Sequence, residues 1–215
     1  MNNQPSELSA SYDRVAEEFV GEFFKELERK PFDRELLNRF AESVGAGAET
    51  CDIGCGPGQI GRFLQDRRLR MRGIDLSEEM IKCARRLNPD ISFETGNMLA
   101  LELPNASLAA IVSFYAIIHL RRDDVTLALK EMYRVLKPGG RLLISFHGGD
   151  GELHRDLWYE KPVSIDVTLF QKDEMSRYLE SAGFEIESIV ERDPYDFEYP
   201  TPRVYAWSRK PTQAK

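Results

Sequence analysis

From residue 50 onward, short apolar runs alternate with amphipathic stretches, and this alternation restricts the fold more than any other feature of the chain. Strands are expected over 50–53, 71–74, 91–94, 109–114 and 142–146. Helices are expected between them over 59–67, 78–87 and 123–136, the last followed by the turn Lys137-Pro138-Gly139-Gly140. Near-continuous apolar strands separated by helices read as a parallel sheet covered on both faces, a doubly wound α/β architecture. A helix over 172–182 then leads to strands over 184–190 and 204–208, joined by a Pro-rich segment with no room for a crossover helix. A strand joined in that way runs antiparallel to its neighbour. Upstream, helical spacing of apolar residues predicts helices over 12–29 and 33–44.

A chain of 215 residues with 42% hydrophobic content is enough for one domain with a substantial core. Asp and Glu number 36 against 29 Lys and Arg, so no broad positive field exists to hold a phosphate backbone, and nucleic acid is a poor substrate. The run Arg67, Arg68, Arg70, Arg72 reads as a solvated helix end leading into a strand. Cys51, Cys55 and Cys83 have neither metal-ligand spacing nor the density of a disulfide scaffold. No apolar run has membrane-spanning length, and the polar start lacks the regions of a signal peptide, so no membrane partner and a cytoplasmic location are expected. The extreme ends are expected to be disordered.

The segment Asp52-Ile53-Gly54-Cys55-Gly56-Pro57-Gly58 lies between the first strand and its helix. Glycines there permit positive φ and let a ligand approach the backbone, while the helix start offers unpaired N–H groups. Gly56, Gly58 and Gly61 also satisfy GxGxxG spacing, with Asp75 at nearly the distance a nicotinamide dinucleotide would require. Asp52 argues against that reading. A carboxylate two positions before the first glycine is an unfavourable neighbour for a pyrophosphate and a favourable one for a cation. Asp75 ends the second strand, where its two oxygens can accept both hydroxyls of a ribose. The plainer alternative is that Asp75 and Ser77 only cap the next helix, a role Ser77 fills in either case.

Taken in order, CDIGCGPG, GIDLSEEMI, ETGNM and VLKPGGRLLIS resemble the motifs of the class I S-adenosylmethionine-dependent methyltransferases, in particular the small-molecule branch similar to ubiquinone and menaquinone biosynthesis methyltransferases. The resemblance covers roughly residues 12–146. It implies a Rossmann-like fold with a mostly parallel seven-stranded sheet, an antiparallel C-terminal strand and an N-terminal helical lid. It divides one domain into a lid region over 1–45, a cofactor-binding core over 46–147 and an acceptor side over 148–210. S-adenosylmethionine is the implied cofactor, with S-adenosylhomocysteine as its product.

By the same resemblance Gly54, Cys55 and Gly56 line the methionine part of the cofactor, and Asp52 and Gly58 belong to the cofactor site. Asp75 and Leu76 hold the ribose, Met80 flanks the adenine, and Gly96, Asn97 and Met98 complete the adenine site. Asn97 stands where the family most often has Asp, which retunes that contact, and Ala109-Ala110 occupies a position where an Asp is common. Ser113 and Phe114, at the end of the fourth strand, face the cofactor.

Methyl transfer needs a nucleophile in line with the sulfur–methyl bond, here an O, N or S atom of a small-molecule acceptor, and a base where the acceptor loses a proton. His119 is the candidate base, having an ordinary pKa near neutrality. The alternative is that His119 packs behind the cleft and hydrogen-bonds a backbone group. Tyr12, Phe19, Tyr115, Trp158, Tyr195 and Arg203 are candidate acceptor-site residues, and Arg192 with Arg203 can hold a carboxylate. His147 and His154, with Asp150, Glu152 and Asp156, form a polar cluster without metal-ligand spacing, and no metal is expected. A binding protein for S-adenosylmethionine without its own chemistry fits the same glycine segment, and turnover separates the two.

Overall fold

The computed structural model describes residues 5–212, so the expectation of disordered ends falls largely outside the described residues. The chain divides into two compact units, one of residues 5–97 with 154–165 and one of residues 98–153 with 166–212. A seven-stranded sheet takes the run β3-β2-β1 from the first unit and β4-β5-β9-β8 from the second.

In the first unit, α1 (Pro5–Phe23), a 3-10 turn (Glu26–Arg29) and α2 (Pro31–Val44) precede β1 (Glu49–Ile53). The order then runs α3 (Gln59–Gln65), β2 (Arg70–Asp75), α4 (Glu78–Leu87) and β3 (Ser92–Thr95). β2 pairs parallel with both β1 and β3. The expected single helix over 12–29 is instead α1, starting earlier and ending at Phe23, followed by the separate short turn. Polar contacts explain the early start: Ser9 Oγ donates to the Leu76 carbonyl at 3.0 Å, and Ser11 Oγ accepts the Ser164 N–H at 2.9 Å. α4 begins as expected, with Ser77 Oγ accepting the Met80 N–H at 3.1 Å, a cap of about 1 kcal/mol. Its buried side, Met80 with Cys83, meets Ala16 of α1, and Tyr12, Phe19 and Val20 close over the cluster.

In the second unit, β4 (Leu108–Phe114), a 3-10 turn (Ile117–His119), α5 (Arg122–Val135) and β5 (Leu136–His147) are followed by α6 (Lys172–Ser181), β8 (Glu185–Arg192) and β9 (Arg203–Arg209). β4 and β5 are parallel, whereas β9 runs antiparallel to both β5 and β8, as the short connection requires. The Lys137–Gly140 turn lies inside the bounds of β5 as an extrusion: Leu108 pairs with Leu136, but Ala110 already pairs with Arg141. Phe146 of β5 packs edge-on against Phe170, just before α6, and Tyr133 of α5 against Phe184, just before β8.

β6 (Glu152–Trp158) and β7 (Lys161–Thr168) pair as a separate two-stranded sheet where the sequence reading had only a loop. Among the described residues no helix is long and apolar enough to cross a membrane.

Candidate cofactor and acceptor site

Gly54, Gly56 and Gly58 all take positive φ, so β1 leaves its sheet through a turn that side chains would strain. At Gly58 the requirement is twofold, because a Cβ there would sit 2.7 Å from the Phe93 ring and 2.9 Å from Asn88 Nδ2. Gly58→Ala is expected to destabilise the protein by about 2 kcal/mol or more through left-handed strain and overpacking. Urea denaturation reads this directly, and an unchanged midpoint would contradict it. At Gly56 the added atom would face Phe19 of α1 at 3.8 Å, so an aromatic ring lies over the turn.

The two carboxylates around this turn have different surroundings. Asp75 is half-buried: its Oδ2 accepts the Gly56 N–H at 2.7 Å and its Oδ1 the Ser77 N–H at 2.9 Å. The carboxylate thereby ties the glycine turn to the start of α4. Burial raises its pKa against the lowering effect of those bonds. Asp52 is only 1% exposed, with Oδ2 accepting the Gly61 N–H at 3.2 Å in the first turn of α3. Burial, with the nearby Asp75 charge, pushes its pKa up to about 7. Asp52 is therefore enclosed beside the turn and bonded to the start of α3.

The other expected cofactor residues vary in exposure. Leu76, Gly96, Asn97 and Met98 are partly exposed, and the Gly96 N–H is bound to the Asp75 carbonyl at 2.9 Å. Cys55 is buried beside the turn, Met80 is 1% exposed under α1, and Ser113 is fully buried at the end of β4, with Phe114 partly open beside it. Asp13 was not anticipated. Its Oδ1 accepts Ser77 Oγ at 2.6 Å and the Glu79 N–H at 3.1 Å, fastening α1 to the turn that carries Asp75. Its only sequence signal is its place on the polar side of α1.

Aromatic rings collect within each unit. In the first, Trp158 meets Tyr12, Phe19 and Phe23 edge-on at 6.1, 5.7 and 6.2 Å between centroids. Burial pushes the Tyr12 phenol well up, and Asp75 adds to the shift. In the second, Tyr115 lies 5.2 Å from the His147 ring, and its hydroxyl is 3.1 Å from that of Tyr205. Tyr195 stacks on Phe197 and receives the Arg192 guanidinium at 4.1 Å over its ring. Arg203 is buried, 5.7 Å over the Tyr115 ring.

His119 Nδ1 lies 2.9 Å from the Asp166 carbonyl, and burial lowers the imidazole pKa. A neutral ring donating from Nδ1 satisfies that carbonyl, so the backbone bond weighed as the alternative is present. The two histidines of the polar cluster have separate partners: His147 Nδ1 is 2.7 Å from Thr201 Oγ1, and His154 Nε2 is 2.9 Å from Asp156. Asp150 and Glu152 face Arg122 instead. No group of His, Cys, Asp and Glu able to hold a metal occurs among the described residues.

A bare glycine turn tied to an acid at the end of β2 is the arrangement expected from the resemblance to S-adenosylmethionine-dependent methyltransferases. Residues 51–140 match the methyltransferase domain family. A probable S-adenosylmethionine-dependent methyltransferase from Mycolicibacterium smegmatis is 31% identical over 146 residues, 67% of this chain and 55% of that protein. A demethylmenaquinone methyltransferase from Renibacterium salmoninarum is 28% identical over 147 residues, 67% of this chain and 60% of that protein. The chain thus spans little more than half the length of these curated relatives. The same fold occurs in the crystal structure of a methyltransferase from Methanosarcina mazei, with a TM-score of 0.72 at 19% identity, over 79% of this chain and 95% of that one.

Proposed function

We propose that the protein is an enzyme that transfers a methyl group from S-adenosylmethionine to an O, N or S atom of a small molecule. The observation that carries this reading is the 2.7 Å bond between the Gly56 amide and Asp75, which holds a glycine-rich turn and an acid in one arrangement. When bound, S-adenosylmethionine supplies a methyl group already activated by a sulfonium. The chain's part is to bind, orient and exclude water. Asp75 accepts the ribose hydroxyls, the Gly54–Gly58 turn admits the methionine part, and Asp52 contributes negative potential toward the cofactor's ammonium. Tyr12, Phe19 and Trp158 form an aromatic cover, consistent with a lid role for α1. Tyr115, Tyr195 and Arg203 belong to the acceptor side.

His119, kept neutral, is the base where the acceptor must lose a proton. His119→Gln is then expected to lower kcat about tenfold or more, while KM for S-adenosylmethionine stays within about twofold. An unchanged kcat assigns His119 to its backbone bond alone. Relatives named for menaquinone, phytylhydroquinone and malonyl-carrier substrates favour a metabolite acceptor. The test is incubation of purified protein with S-adenosylmethionine and a metabolite extract, read by mass spectrometry. One methylated product should appear for each S-adenosylhomocysteine formed. Tight cofactor binding without turnover across the extract would favour a binding protein instead.

A further inference from the structure

The second unit carries a nearly buried cationic cluster. β8 ends on Arg192 and β9 begins on Arg203, and the two are register partners. Glu198, on the connection between them, lies against both guanidiniums, with side-chain exposures of 11% for Arg192, 5% for Arg203 and 3% for Glu198. Glu198 is spent on Arg192: its oxygens take Nη1 at 2.7 Å and Nη2 at 3.1 Å, and Oε2 also accepts the Tyr195 N–H at 2.9 Å.

Arg203 reaches only the edge of that carboxylate, its Nε lying 3.7 Å from Oε1. Its Nη1 donates to the Thr201 carbonyl and, at 2.8 Å, to the Thr201 hydroxyl. Glu191, Asp193 and Asp196, the other acids nearby in sequence, are exposed. Two nearly buried guanidiniums therefore lie against one carboxylate, one positive charge more than negative among these three groups. Such an excess is costly unless an anion completes the site.

The surroundings suit a ligand. His147 pairs in register with Arg203 at the carboxyl end of β5 and shares the Thr201 hydroxyl with it. Tyr115, just past the end of β4, lies under the Arg203 guanidinium and holds φ at 51°, a left-handed conformation that tyrosine keeps only where its surroundings enforce it.

We propose that Arg203, with Tyr115 and His147 beside it, anchors a carboxylate of the methyl acceptor. This deepens the methyltransferase reading and rests on it for the ligand's role as acceptor. One excess charge and a planar fork match a monoanionic carboxylate better than a dianionic phosphate.

Ligand-observed NMR tests the site, with and without S-adenosylhomocysteine, using aromatic and aliphatic monocarboxylates each beside its primary amide. Carboxylates should bind and amides should not. Arg203→Gln should weaken carboxylate binding about tenfold or more, and Arg203→Lys, which keeps the charge and lowers the risk of misfolding, should weaken it less. Calorimetric affinity for S-adenosylhomocysteine should be the same in all three proteins. Amides binding as well as carboxylates, or carboxylate binding indifferent to both substitutions, would overturn the assignment. Arg203-dependent carboxylate binding in a protein that ignores S-adenosylhomocysteine would support the anion site and remove the methyltransferase reading.

Discussion

Asp75→Ala is expected to weaken S-adenosylhomocysteine binding about a hundredfold. Each Asp75 oxygen already accepts one backbone N–H, from Gly56 on one side and Ser77 on the other. A carboxylate oxygen has two acceptor sites, so Asp75 keeps acceptor capacity for ribose hydroxyls beside its backbone bonds. Charge-assisted hydrogen bonds of this kind contribute about 1.5–3 kcal/mol each, and a tenfold change in affinity corresponds to about 1.4 kcal/mol. Removing the carboxylate also leaves the Gly56 and Ser77 amides without their acceptor beneath a bound nucleoside, and loosens the turn. Asp75→Asn keeps the shape and one acceptor oxygen, so its loss should be nearer tenfold. Calorimetry on the wild type and both variants, with urea denaturation to confirm folding, decides the matter. Unchanged affinity in Asp75→Ala would remove the ribose from this position and with it the proposed orientation of the cofactor.

The features legible in the sequence were those set by local chemistry. α4 could be bounded because Ser77 caps it and its apolar residues recur at helical spacing, and the antiparallel course of β9 followed from a connection too short to cross over. The β6–β7 hairpin escaped because its turn is built from Tyr159 and Glu160, both at positive φ, where Asn and Gly give the usual signal. β6 is also largely exposed and offers no apolar alternation. The hydrophobic period misses both ends of α1, whose first turns are docked by serine hydroxyls through backbone groups that such a period does not register. Within the site, glycines and acids were readable as types, but burial was not. Met80, expected beside the adenine, is 1% exposed under α1, and Asp52, expected beside the cofactor, is likewise 1% exposed. The two arginines are plain in the sequence, yet the carboxylate lying against both comes from Glu198, six residues after Arg192 in a segment without regular structure.

The enclosure of Asp52 makes cofactor binding depend on pH with a definite sign. In the free protein its pKa stands at about 7, raised from 3.8 mainly by burial. A folded-state pKa above the unfolded one means the native chain retains a proton that the unfolded chain releases. The stabilisation from that proton is full below pH 3.8 and is lost as pH rises through about 7, an effect on the order of 4 kcal/mol. A bound sulfonium and ammonium favour the ionised carboxylate, so binding should expel the proton. Affinity for S-adenosylmethionine should therefore climb toward tenfold per unit between about pH 5.5 and 7, then level off. Calorimetry at pH 6.5 in two buffers of different ionisation enthalpy measures the released proton directly. Asp52→Asn keeps an acceptor for the Gly61 amide, so it should fold, resist denaturation better than the wild type above pH 7, and bind the cofactor with little dependence on pH over that range. Equal proton release in the variant and the wild type would mean that another group titrates, and that the field of Asp52 does not help select a cationic nucleoside.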